Sequence, residues 1–170
     1  MTFWRKLDAS ARSLPSFDDF DPGDRSHDPQ RIVVWSVKEK KGGRTFAPTY
    51  KGAHILEAFG RRVYLEMIAS QALRDLIMSG LEDCAESRQA IYMIIEAPDE
   101  AGEVIQCERL LLPFGNGGAS VSHIFAAIEV SSLAGTIDRR TIVSRFETDA
   151  QITLRGRITG VAPADPGHSG

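Results

Sequence analysis

Apolar positions change their spacing several times along the chain, and each change marks an element. Phe3, Trp4, Leu7 and Ala11 recur at helical spacing, so an amphipathic helix is expected over 2–13. "LPSFDDFDPGD" then breaks regular structure with Pro15, Pro22 and Gly23. "RIVVWSV" (31–37) is short, β-branched and aromatic, the pattern of a buried strand. After the polar turn "KEKKGG", the run 44–52 spaces Phe46 and Tyr50 around Pro48, which suits an imperfect strand at an edge or a bulge. "GAHILEAFGRR" (52–62) reads as a short helix ended by Gly60. From Tyr64 the apolar residues Leu65, Ile68, Leu73, Leu76, Ile77 and Leu81 return to three- and four-residue spacing. A helix over about 64–87 is expected, with a break near Ser79–Gly80.

The period then switches once more. Runs 88–97, 103–114 and 119–130 are strand-like, and "PDEAG" and "GNGG" separate them. Loops so short and glycine-bearing favour antiparallel hairpins. Two strands, helices, then a three-strand meander make an α+β layout with a five-stranded antiparallel sheet, helices inserted after the second strand, and an N-terminal flanking helix. Within "ERLLLPFGNGG" (108–118), three consecutive leucines suit a strand covered on both faces. Pro113 is expected to end its pairing. The glycine turn joins two strands and opens no helix, so it reads as a hairpin and not a phosphate loop. Two divisions are expected: 1–131 as the domain and 132–170 as an extension, with a helix near 138–147, a strand near 151–158 and disorder beyond.

Composition adds limits. The 170 residues are 42% hydrophobic and 25% charged, enough for a packed core without staples. A net charge of −3 gives no global field for a nucleic-acid polymer. No apolar run approaches the ~20 residues that span a bilayer, and the first residues show no secretory pattern. Two cysteines without a CxxC indicate no disulfide framework. A cytoplasmic protein is expected.

Three stretches carry a family resemblance: "LPSFDDFDP" (14–22) after Trp4, "KGAHILEAFG" (51–60), and "ERLLLPFGNGG" leading into "VSHIFAAIEV" (121–130). In their order and spacing they resemble a stand-alone PAS-type family common in alphaproteobacteria, over about residues 3–131. One departure is "FGRRVYLEM", which lacks the later glycine of the family's "FGRDLTG"-like continuation. The resemblance implies a sensory or regulatory module of bacterial signal transduction, without enzymatic activity. It implies a small ligand held between sheet and helices, or a homodimer or contacts with a signalling partner; it names no cofactor. Fold alone does not choose among these roles.

On that layout the ligand-pocket candidates are Ile55, Phe59 and Ile68 on the helical span, facing Ile91 or Tyr92, Ile105, Leu110 or Leu112, and Phe125 on the meander. The face stays open, because residues 110–112 are apolar on both sides.

Other chemistry is thinner. His54 and His123 lie inside expected elements, where ordinary hydrogen bonding outweighs haem ligation. Asp18, Asp19, Asp21 and Asp24 suit a turn-forming loop better than a metal site. "LEDCAESRQA" does not match a flavin-adduct motif around Cys84, and Cys107 alternates with Ile105 and Arg109 as a plain strand residue. Arg139, Arg140, Arg145, Arg155 and Arg157 make the extension basic. Arginine favours phosphate, so the alternative function is a nucleotide-responsive effector, for example one reading a cyclic dinucleotide. "RRTIVSR" lacks the RxxxR spacing of a PilZ-type site. No GxSxG, HExxH or P-loop occurs.

Overall fold

The structure is a computed structural model and describes residues 14–19, 28–98, 102–116, 120–132, 146 and 149–158. The expected helices at 2–13 and 138–147, and the expected disorder after 158, fall outside the described residues, apart from Phe146.

The fold is α+β: one antiparallel sheet and two α-helices among the described residues. In chain order these are β1 (Ile32–Lys40), β2 (Gly43–Lys51), α1 (Ala53–Phe59), α2 (Gln71–Ser87), β3 (Ala90–Pro98), β4 (Val104–Phe114), β5 (His123–Ser132) and β6 (Gln151–Ile158). The spatial order is β2-β1-β5-β4-β3-β6. The sheet therefore has six strands where five were expected. The additional one is the 151–158 run, which pairs antiparallel with β3 from Ala90↔Ile158 to Glu96↔Gln151. Its isoleucine and leucine positions reach an edge that the meander leaves unpaired.

The other strands form where their apolar spacing placed them. β1 and β2 make a hairpin through Gly42 and Gly43, both at positive φ. Pro48 lies on the edge strand β2 beside a register shift at Val34/Trp35, so its missing N–H breaks no inner ladder. β1 and β5 pair from Ile32↔Ala127 to Ser36↔His123, which joins the first hairpin to the meander.

Two expectations need correction. Pro113 does not end pairing: β4 continues opposite β5 through Pro113↔Ile124 and Phe114↔His123. The proline is tolerated because the β3 ladder has already ended at Ile91↔Leu111. Beyond that point Ser16 bridges Gly115 in parallel, with Phe17 N–H donating to Gly115 O and Gly115 N–H to Pro15 O, each at 2.9 Å. The "LPSF" stretch thus takes the place next to β4 that β3 vacates. The second correction concerns the 64–87 helix. Its first part is a 3-10 turn, Leu65–Met67, which follows another at Gly60–Val63. α2 proper starts at Ser70, whose Oγ accepts from Leu73 N–H. It then runs unbroken through Gly80. Glycine is there for close approach: a Cβ would stand 2.9 Å from Met93 Sδ and 3.4 Å from Leu111 Cδ1.

The sheet is buried on both faces, unequally. Residues of one pleat, including Val33, Trp35, Ile91, Met93, Ile105 and Leu111, pack with Ile55, Ile68, Leu81 and Cys84 from the helical side. The opposite pleat carries a smaller cluster of Ile32, Val34, Ala90, Leu112, Phe114 and Phe125, with Phe17 against it. Phe17 stacks on His123 at 3.8 Å and meets Phe114 edge-on at 6.2 Å. Further along, this outer face turns polar: Tyr92 Oη donates to Glu108 at 2.5 Å and Gln106 to Glu96 at 2.6 Å.

Candidate functional site

A cavity lies between the helix-facing pleat and the segment running from α1 to α2. The sheet supplies Val33 and Trp35 from β1, Ile95 from β3, Cys107 and Arg109 from β4, and Ile128 from β5. The facing wall is Ile55, Phe59, Val63, Leu65, Ile68, Leu73 and Ile77, and Phe146 closes it from the C-terminal part of the chain. Its volume, counted as space open to the centre of a water-sized sphere, is about 70 Å³. One water needs roughly 10–15 Å³ on that measure. The space therefore suits a small organic molecule better than a single water.

Local structure explains why the space persists. α1 ends after seven residues, because Gly60 at φ 54° turns the chain away. Two 3-10 turns then carry the chain to the start of α2, and this loose path does not fill the concave sheet face as a longer helix would. Arg74 Nη1 donates to the carbonyl of Ile68, and Lys51 Nζ donates to Tyr64 Oη at 2.5 Å, which hold the turns in position.

The polar groups in the lining are few. Arg109 stands opposite Met93 on β3 and Ile128 on β5, with Cys107 and Leu111 two residues away on its own pleat. Its residue surface is only 4% exposed. Its Nε and Nη1 have no hydrogen-bond partner, and no ion pair to it occurs among the described residues. Burial pushes the guanidinium pKa down from its ordinary value. Trp35 Nε1 is the other orphan: buried, in the lining, with no partner. Buried polar groups are nearly always paired, and an uncompensated buried charge is costly. Two such groups around one apolar space make this the candidate site.

The pocket candidates divide by pleat. Ile55, Phe59 and Ile68 line the cavity. Ile105 shares that face without lining it. Leu112 and Phe125 lie buried on the outer face, with Leu110 half-buried beside them, and Tyr92 points to the same side with its hydroxyl on Glu108. Of the pair Ile91 or Tyr92, Ile91 faces the helices. Arg109 was legible only as an alternation partner of Cys107; a charge in register with Ile105, Cys107 and Leu111 is the signal that marks it.

The remaining chemistry lies elsewhere or is occupied. Arg155 and Arg157 on β6 both grip Asp83 of α2, at 2.9 Å to Oδ2 and 2.7 Å to Oδ1, and Arg155 also donates to Ser79 O at 2.6 Å. Arg139, Arg140 and Arg145 lie outside the described residues. Neither His54 nor His123 lines the cavity; burial lowers the His123 pKa. Both cysteines are free and buried. Desolvation pushes the Cys107 thiol up to about 11 and raises that of Cys84, so neither is a ready thiolate. Asp18 is exposed, with its N–H on Ser16 Oγ at 3.3 Å. The side chain of Asp19, and Asp21 and Asp24 entirely, lie outside the described residues. No cluster of metal-ligating side chains occurs among the described residues, and no helix there is long and apolar enough to cross a membrane.

No protein-family model matches this chain, and neither a curated protein nor a solved structure matches it.

Proposed function

We propose that the chain is a PAS-type sensory or regulatory domain in bacterial signalling, acting through protein contacts that a small molecule in the cavity controls, with no catalytic step of its own. The observation that carries this is the cavity between the α1–α2 segment and the sheet, apolar except for two unsatisfied polar side chains. Pockets of this kind, apolar with a few placed polar groups, are the usual form of small-molecule sites. The wall opposite the sheet is the means of response. It is built from short helical turns joined at Gly60 and Ser70, which shift more readily than a long helix. The sequence motifs that resemble the PAS-type family lie around this sheet, with "LPSF" bridged to "FG" at Ser16 and Gly115. The partners of this reading are a second copy of the chain or a signalling protein.

The test compares native protein with Ile128→Phe, which fills the cavity. Small molecules extracted from each are identified by mass spectrometry, and amide exchange of residues 53–87 is followed. The reading predicts a reproducible organic molecule in the native protein only, and slower exchange when it is bound. Identical extracts and identical exchange in the two proteins would refute it.

A further inference from the structure

We propose that the cavity's ligand is a small monocarboxylic acid with an apolar body, its carboxylate on the Arg109 guanidinium and its hydrocarbon against Ile55, Phe59, Ile68 and Ile128. This rests on the reading of the cavity as a ligand site. A guanidinium 96% buried, with Nε and Nη1 unpartnered, is a cation waiting for an acceptor. Arginine stays protonated in proteins and pairs best with oxyanions.

The surroundings select the kind of anion. Among the described residues the lining offers one cation and, beyond it, two neutral donors, Trp35 Nε1 and the weakly donating Cys107 thiol. A phosphate or phosphonate brings more charge and more acceptor oxygens than these can satisfy. A dicarboxylate leaves its second charge against aliphatic side chains, which costs more than the site returns. A monocarboxylate matches the single charge. Size selects further: about 70 Å³ is roughly half of the ~150 Å³ that holds benzene in an engineered protein cavity. Acids smaller than benzene are therefore required, and acetate and propanoate fit that space.

Trp35 and Arg109 sit apart in the sheet. Trp35 is opposite Ile124 and Arg109 opposite Ile128, so four β5 residues and two strand spacings separate them. That is about 13 Å along the strands and about 10 Å across, at the usual rise and strand spacing. The indole N–H is therefore a second donor at a distance from the carboxylate.

The experiment titrates the full chain with acetate and propanoate, against ethanol, 1-propanol and methylphosphonate, by calorimetry and thermal melting. Wild type, Arg109→Leu and Arg109→Lys are compared. The acids are expected to bind and raise the melting temperature of wild type, with the alcohols and the phosphonate at least about tenfold weaker, the loss of one charge-assisted hydrogen bond. Arg109→Leu is expected to abolish the preference for acid over alcohol while melting no lower than wild type without ligand; Arg109→Lys keeps part of it. Equal binding of acid and alcohol, tighter phosphonate binding, or acid binding unchanged in Arg109→Leu overturns the carboxylate assignment. An Arg109→Leu protein that melts well below wild type without ligand also overturns it, because the guanidinium then has a partner within the chain. Acid binding that leaves amide exchange over residues 53–87 unchanged spares this assignment and defeats the regulatory reading instead.

Discussion

Arg109 and Trp35 look into one cavity from strands on either side of β5, and neither the guanidinium Nε and Nη1 nor the indole N–H has a hydrogen-bond partner. A cation in that position destabilises the unliganded fold. Arg109→Leu keeps an apolar side chain opposite Met93 and Ile128 and removes the charge. Even a buried ion pair replaced by well-packed apolar groups is often neutral or stabilising by about 1–4 kcal/mol, and a lone charge has less to lose. Urea unfolding of the ligand-free proteins is expected to give Arg109→Leu a midpoint at or above that of wild type.

Asp83 ties β6 to the helical side. Burial disfavours its charge, but the Arg157 hydrogen bond and the charges of Arg155 and Arg157 outweigh this and hold the carboxyl below its ordinary value. A carboxylate depressed in the fold adds stability above its unfolded pKa, and that stability is lost as pH falls through the folded value. His123, pushed down by burial beside Phe17, behaves in the same direction at higher pH: its neutral form is favoured in the fold, so stability declines as pH drops below about 6.5. Stability against pH is therefore expected to fall in two stages on acidification. His123→Gln flattens the upper stage and Asp83→Asn the lower. Partly exposed pairs are worth under about 1 kcal/mol each, so Asp83→Asn should cost about that much. Its clearer mark is faster amide exchange in residues 151–158 than in β4.

Gly52 joins β2 to α1, and its N–H donates to Ile32 O at 2.8 Å. A Cβ there would lie 2.2 Å from Gln30 O, a backbone atom with little room to yield. Gly52→Ala is expected to cost several kcal/mol, on the order of other overpacking changes at their upper end, read as a large fall in melting temperature.

Arg88 caps α2 in the left-handed region at φ 58°, the one non-glycine residue at positive φ among the described residues. Glycine carries no Cβ penalty in that conformation. Arg88→Gly is expected to stabilise by about 1 kcal/mol, measured by the shift in urea midpoint at unchanged slope.

How far the sequence reveals this molecule depends on which force placed each part. Strands β1 to β5 follow from short β-branched and apolar runs bounded by polar and glycine turns, because a sheet covered on both faces demands such runs. Gly60 ends α1 for the local reason visible in the chain. The pairing of β6 was less legible: its exposed residues carry little apolar signal, and its partner β3 lies some sixty residues earlier. Pro113 misled because a proline's cost depends on whether a neighbouring strand still runs beside it. The choice between Ile91 and Tyr92, and the faces of Leu110 and Leu112, stayed open for another reason: a strand apolar on both sides gives alternation nothing to distinguish. Arg109 escaped notice since a charged residue inside a strand ordinarily points to solvent, and only the register with Leu111 and Cys107 turns it inward.

The central claim is that Arg109 receives a small carboxylic acid, and the side-chain N–H resonances of Arg109 and Trp35 report on it without an intermediary. In nitrogen-15 spectra of the full chain titrated with propanoate, the Arg109 Nε–H signal is expected to move downfield and saturate together with the amides of β4 and β5 around the cavity, while 1-propanol leaves it in place. An Arg109 Nε–H signal that stays fixed through the propanoate titration would contradict the account.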